Sequence, residues 1–198
     1  MDIYFVRHGQ TDGNLARRHQ HPDIELNETG KLQALQVAKT IKRLRPTHLI
    51  TSTNKRAVET AKVIGAACDI IPETYPAFEE LKRPLYLVGN RFGDPQTVSY
   101  MWGWFFGVQA ASMHDGESYT DFLNRLQLAR TYLSQLPDTS RVVVVSHAVF
   151  INFFLEHMRR PTRMGITRAA ILFYKILRLK NTAVIHVRHE AGKWELIR

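Results

Sequence analysis

At 198 residues, 44% hydrophobic and 23% charged, the chain is long enough for one globular core and too apolar to be disordered. Its single cysteine, Cys68, excludes an intrachain disulfide and a thiolate metal cluster, and no run of 18 apolar residues offers a membrane span. The formal charge of +9 suits anionic partners of any size, but Arg17-Arg18, Lys42-Arg43-x-Arg45 and Arg159-Arg160-x-x-Arg163 are scattered as on a solvated surface, so nucleic acid is not the expected partner.

The first element is the run Ile3-Tyr4-Phe5-Val6, short, apolar and rich in β-favouring side chains, which predicts a buried parallel strand. It runs into Arg7-His8-Gly9 and then the polar turn Gln10-Thr11-Asp12-Gly13-Asn14. Ligands of open α/β sheets sit beyond the carboxyl ends of such strands, where His8 falls. With a strand this close to Met1, no signal peptide is expected, and the lone cysteine fits a reducing, cytoplasmic setting. A polar loop follows from Leu15 to Leu26. Asn27 then predicts the N-cap of a helix whose apolar stripe is Leu32, Leu35, Ala38, Ile41 and Leu44, ended by Pro46. His48 to Thr51 reads as a second strand and Ser52 to Ala61 as a turn entering a helix that runs to about Ala67. Cys68 to Ile71 reads as a third strand.

From Pro72 to Asp115 the rhythm breaks. Pro72, Pro76, Pro84 and Pro95 and the patch Tyr100-Met101-Trp102-Gly103-Trp104-Phe105-Phe106 predict an irregular, partly helical insertion over the sheet. Asp115-Gly116-Glu117-Ser118 opens a long amphipathic helix with Phe122, Leu126, Ala129 and Leu133 on one side, stopped by Pro137. Arg141 to His147 carries four consecutive valines, the signature of a central parallel strand covered on both faces, and His147 stands at its carboxyl end. Helices are expected from about Val149 to Met158 and from Thr167 to Leu177. Strands from Asn181 to Val187 and Trp194 to Ile197, joined at Gly192, finish the chain. The alternation predicts a three-layer α/β/α sandwich with a mainly parallel sheet, one domain over 1–198, and residues 81–114 as an inserted cap.

Four pieces point at one edge of that sheet. Arg7-His8-Gly9 and Ser146-His147 end two strands. Arg56 begins the helix after the second strand, where a cation and helix N–H groups both favour an anion. Glu80 follows the third strand. Two arginines, two histidines and a carboxylate are the equipment for phosphoryl transfer through a covalent intermediate. A histidine nucleophile must be neutral, which neighbouring cations favour by repelling its proton. Arginine's planar fork suits the phosphoryl oxygens, and a partly desolvated Glu can hand a proton to the leaving alkoxide.

The segment from Arg7 to Asn14 resembles the Arg-His-Gly-x-Thr-x-x-Asn signature of the histidine phosphatase superfamily, which includes the cofactor-dependent phosphoglycerate mutases. By that resemblance His8 is the nucleophile, Arg7 its neighbour and Asn14 a phosphate contact. Ser52-x-x-x-Arg56-Ala57-x-x-Thr60-Ala61 is similar to the family's second arginine motif, Ser146-His147 to its Ser-His-Gly, and Gly116-Glu117-Ser118 to its Gly-Glu-Ser. Ala148 stands where the family usually has Gly, with a backbone N–H still to offer. Phe78-x-Glu80-Leu81 fits the family's Leu-x-Glu pattern better than Glu79 does, so Glu80 is the expected acid.

The expected catalytic residues are therefore His8, Arg7, Arg56, Glu80 and His147, and the expected substrate-binding residues Gln10, Asn14, His21, Arg83 and Ala148. Neither a metal nor a cofactor is expected. His19-x-His21 and His186-x-x-His189 lack a carboxylate cluster to complete a metal site. The seven aromatic residues of the insertion (Tyr86, Phe92, Tyr100, Trp102, Trp104, Phe105 and Phe106), with Lys82, Arg83 and Arg91, are expected to select the substrate. The partner is a small phosphomonoester, and the chain works as a monomer or a dimer. Hydrolysis is the expected reaction. A mutase, or a basic binding module that retains a phosphate pocket, is the alternative.

Overall fold

Val142 to Val145 are fully buried, alternately against two different apolar layers. That is possible only mid-sheet with both faces covered. In the computed structural model, which describes residues 1–107, 115–160 and 164–197, the elements run in the order β1 (Asp2–Arg7), α1 (Asp12–Leu15), α2 (Glu28–Arg43), β2 (His48–Thr51), α3 (Lys55–Cys68), β3 (Glu73–Thr74), α4 (Pro95–Phe106), α5 (Tyr119–Ser134), β4 (Arg141–Ser146), α6 (Ala148–Arg159), α7 (Ile166–Arg178), β5 (Val184–Glu190) and β6 (Lys193–Leu196). Short 3-10 turns lie at Pro76–Phe78 and Leu85–Leu87.

The sheet order is β3-β2-β4-β1-β5-β6. The first four strands are parallel, and β5 and β6 are antiparallel additions beside β1. Residues alternate along each strand, so Ile3, Phe5, Val142 and Val144 face one layer and Val6, Val143 and Val145 the other. Helices α2 and α3 cover the second face through Val37, Ala38, Ile41, Ala57, Ala61 and Ile64. Helices α4 to α7 cover the first, with Trp104, Phe122, Leu126, Phe150, Phe153 and Leu172 in its core. Among the described residues no helix is long and apolar enough to cross a membrane.

Three expectations about helices and strands are corrected. The buried face of α2 is Gly30, Ala34, Val37, Ala38 and Ile41, whereas Leu32 and Leu35 are 67% and 54% exposed. The helix packs closely on the alanines of α3, and small residues, not leucines, permit that approach. The stretch read as a third strand is the end of α3 and a turn: Asp69 takes a left-handed backbone, Ile71 is 92% exposed, and β3 is only Glu73–Thr74. The strand expected from Asn181 begins at Val184 and runs to Glu190, because Asn181 and Thr182 turn toward the first histidine instead.

The insertion is anchored rather than laid over the surface. Trp104 is fully buried against Tyr119, Phe122 and Phe153, and its indole N–H donates to the Glu117 carbonyl at 3.0 Å. Trp104, Phe105 and Tyr100 are core residues, which corrects their expected part in substrate selection, while Trp102 and Phe106 stack on each other in the open. Residues 108–114 of the expected cap, and Arg163 of the last basic cluster, lie outside the described residues.

Candidate active site

β1 and β4 are neighbours in register, Arg7 opposite Ser146, so the residues just past them meet. The rings of His8 and His147 lie 5.0 Å apart, both buried. His8 Nδ1 sits 2.7 Å from the Gly9 carbonyl. A carbonyl only accepts, so Nδ1 carries the proton and Nε2 keeps its lone pair. Arg56 Nε–H points at that lone pair from 3.3 Å. Burial above all, then the charges of Arg56 and Arg7, hold the His8 pKa well below its ordinary 6.5. A neutral imidazole with its free lone pair against a guanidinium is a nucleophile ready for an electrophile that arrives with negative charge.

The backbone behind it is tightly set. Gly9 N–H donates to Thr60 Oγ1 at 3.0 Å, and a Cβ at Gly9 would lie 2.5 Å from the Gly30 carbonyl oxygen. Asn181 Nδ2 donates to the His8 carbonyl at 3.0 Å and to Asn14 Oδ1 at 3.1 Å. With Oδ1 so engaged, Asn14 has its Nδ2 end to offer an anion.

Arg56, at the second position of α3, is buried and donates to the His21 carbonyl at 3.1 Å. Burial lowers its pKa to about 10, opposed by Glu80 and assisted by Arg83 and Arg7, so it stays a cation at neutral pH. Arg7 donates to the Leu179 carbonyl, and burial lowers its pKa too, against the pull of Glu80. His147 joins them from just past β4. Burial first, then Arg56, His8, Arg125 and Arg7, keep its pKa well below 6.5. Its Nε2 lies 2.7 Å from Ser52 Oγ, and its Nδ1 is buried without a partner among the described residues. Arg7 Nε and Arg83 Nε are unpartnered in the same way. The two guanidinium N–H groups can donate to an anion bound here.

Glu80 reaches this group from the loop after β3. Its carboxylate accepts from the backbone N–H groups of Val149 (3.2 Å) and Phe150 (3.1 Å), in the first turn of α6, and from Leu81 N–H (3.0 Å). His147 is the N-cap of that helix and Ala148 its first residue. Glu79 turns the other way, to the Thr53 hydroxyl and to Lys82 Nζ at 3.2 Å. Of the two carboxylates, Glu80 is the one whose charge acts on Arg7 and Arg56.

Gln10 Oε1 accepts from Asn27 Nδ2 at 3.2 Å, which leaves its Nε2 end, like the Nδ2 end of Asn14, to offer an anion. The His21 ring is exposed and paired with Asp23 at 3.2 Å, so only its carbonyl borders the site. His19 is buried against Phe92, and burial takes its pKa to about 3. His186 pairs with Asp2 at 2.8 Å, and His189 packs on Trp194. Among the described residues no group of three or more His, Cys, Asp or Glu could hold a metal ion.

Sequence reading missed Asn181 and Arg125, and it gave no task to Ser52 and Thr60 within their motif. Ser52 and Thr60 had a signal, their spacing around Arg56. Asn181, in a polar turn 173 residues from its partner His8, had none.

Comparison with known proteins follows the same residues. A family model described as the histidine phosphatase superfamily (branch 1) matches residues 3–198. A probable phosphoglycerate mutase GpmB of Proteus mirabilis is 32% identical over 197 residues, covering 98% of this chain and 87% of its own. A protein of the same name from Yersinia pestis is 31% identical over 198 residues, with the same coverage. Among solved structures, a putative alpha-ribazole-5'-P phosphatase from Escherichia coli superposes with a TM-score of 0.80 at 17% identity, over 99% of this chain and 94% of that one. A mutant phosphoserine phosphatase from Entamoeba histolytica, in complex with phosphoserine, superposes with a TM-score of 0.77 at 24% identity, over 100% and 95%. These structures share the fold. The match running from the strand before His8 through the last strand shows that the chain belongs to the histidine phosphatase superfamily, branch 1.

Proposed function

We propose that this chain is a metal-independent phosphoric monoester hydrolase working through a phosphohistidine on His8. The observation that carries the reading is the fixed tautomer of His8, its bare Nε2 held beside Arg56 while Nδ1–H is tied to the Gly9 carbonyl. Nε2 attacks phosphorus, and the P–O bond to the leaving group breaks. Glu80 as the acid gives its proton to the departing alkoxide. The imidazole, now cationic, keeps its hydrogen bond to Gly9, while Arg7 and Arg56 neutralise the phosphoryl oxygens. In the second step Glu80 takes a proton from water, which attacks phosphorus and expels neutral His8. His147, neutral before binding, offers the site a further hydrogen bond through Nδ1.

The phosphatase names of the solved neighbours favour water as the acceptor. The names of the curated relatives favour a second reading, transfer to another hydroxyl of the substrate. The segment Glu80-Leu81-Lys82-Arg83-Pro84 is unlike the longer, characteristic segment that sugar-phosphate mutases of this family carry after the acid, which supports hydrolysis. Brief incubation with a substrate panel, acid-free quenching and peptide mapping should find an acid-labile phosphoryl group on His8, with inorganic phosphate released in stoichiometric amount. Isomerised phosphoglycerate without free phosphate would establish the mutase. If His8→Ala keeps more than a trace of the rate, the mechanism is wrong. Ester binding with no turnover at all would instead make the chain a binding module.

A further inference from the structure

The acid assigned to Glu80 stands on a loop, and a loop holds a side chain to catalytic tolerance only if something pins it. Here the pin is a buried ion pair. Glu117 lies just before α5 and Arg125 two turns into it, and their side chains are 9% and 12% exposed. Arg125 Nε donates to Glu117 Oε2 at 3.0 Å, and a second N–H reaches Oε1. The guanidinium also donates to the carbonyls of Ala77 (3.1 Å), Glu79 (2.7 Å) and Glu80 (3.1 Å). From the other side, Glu117 Oε1 accepts from Lys82 N–H at 2.8 Å, and Glu117 N–H donates to the Lys82 carbonyl at 2.9 Å. The backbone before and after Glu80 is thus held by one pair of side chains. Arg125 also lies 5.9 Å over the ring of Phe150, whose backbone N–H holds the Glu80 carboxylate.

Stability alone is a weak reason for such a pair, since buried charges must be stripped of water and packed apolar residues often serve as well. What apolar residues could not do is satisfy three carbonyls and an N–H on the six-residue stretch around a single carboxylate. We infer that Glu117 and Arg125 are positioning residues for Glu80: they set where its proton stands relative to the leaving oxygen and touch neither phosphate nor leaving group. The inference rests on the reading of Glu80 as the acid.

The test follows the first step alone, release of the leaving group in a single turnover, because Glu80 serves the second step equally for every ester. It compares an alkyl phosphate, which needs the proton, with an activated aryl phosphate, which does not. Lysine keeps a charge for Glu117 but cannot span the carboxylate and three carbonyls with one nitrogen. In Arg125→Lys, the single-turnover rate of leaving-group release from the alkyl ester should fall by about 10–10²-fold, the cost of a displacement near 1 Å. KM and the aryl rate should change less than about threefold. Glu117→Gln, which keeps size and an acceptor for Lys82, should show the same split and carries the test should lysine at position 125 cost the fold. In a Glu80→Gln background neither change should lower the alkyl rate further. Equal losses on both esters, no loss on either, or losses that multiply in that background overturn the inference. If Glu80→Gln itself fails to discriminate the two esters, the acid assignment falls first. If it discriminates and the folded positioning variants do not, only the positioning falls.

Discussion

The proton inventory of His8 is set by three neighbours of unequal weight: the wall that buries it, then Arg56, then Arg7. Because its pKa lies well below 6.5, the free enzyme should hold the nucleophile neutral through mildly acidic pH, and the acid limb of kcat/KM should lie below that value. Replacing Arg56 by Gln removes a donor to the transferring group, which costs about 10²–10³-fold in rate. It also removes a positive charge from beside the imidazole, so the His8 pKa must rise and the acid limb must move up in pH. Comparing kcat/KM from pH 4 to 8 for the two proteins with one substrate cancels the titration of the ester. A limb that stays in place while the rate falls would mean that Arg56 binds phosphate without tuning His8. Ser52 does for His147 what the Gly9 carbonyl does for His8, engaging one ring nitrogen so that the other is left to the ligand.

Between elements, α2 meets the signature loop at a glycine, backbone against backbone. A Cβ on Gly30 would lie 2.1 Å from the Gln10 carbonyl oxygen and 2.8 Å from its nitrogen. Those are backbone atoms, so nothing flexible can yield. Gly30→Ala should cost about 1–3 kcal/mol in urea unfolding, the usual price of overpacking. It should also weaken phosphate binding, because Gly9-Gln10 moves with the helix. Unchanged binding in a destabilised protein would show that the loop slides free of α2. That face of α2 was half legible in the sequence: Ala38 and Ile41 of the expected stripe are buried, but Gly30 and Ala34 went unread while Leu32 and Leu35 drew the eye and lie in solvent. The two-residue β3, both positions exposed, carries no pattern to read. By contrast β1, β2 and β4 were legible because burial on both faces forces apolar runs. The starts of α2 and α5 were legible because Asn27 and Ser118 accept the first free N–H groups. His8, Arg56 and His147 followed from their places just beyond such strands. Arg125 did not, since an arginine on a helix usually faces water, and only the folded loop of residues 77–82 gives it carbonyls to hold.

For the molecule as a whole, the same burial makes acid the weak direction. His8, His19 and His147 are buried with lowered pKa values, and those of His157 and His189 are lowered as well. Unfolded, each imidazole titrates near 6.5; folded, these resist the proton. Below pH 6.5 the unfolded chain therefore binds protons that the folded one does not, and stability falls with pH by up to about 1.4 kcal/mol per unit for each fully neutral ring. The folded state should lose at least about 2 kcal/mol between pH 7.5 and pH 5 in urea titrations. A flat profile over that range would mean that the rings gain protons without unfolding.

The turn between α7 and β5 has a consequence in time. Arg7 donates to Leu179, Thr182 N–H returns to the Arg7 carbonyl, and Asn181 holds the His8 carbonyl, so the surroundings of His8 are made more than 170 residues after His8 itself. At ordinary rates of synthesis that interval is roughly ten to thirty seconds. For that long β1 lacks its antiparallel neighbour and His8 lacks its support. A nascent chain on the ribosome carries His8 long before the setting around it, and gains that setting only as the turn before β5 and β5 itself emerge.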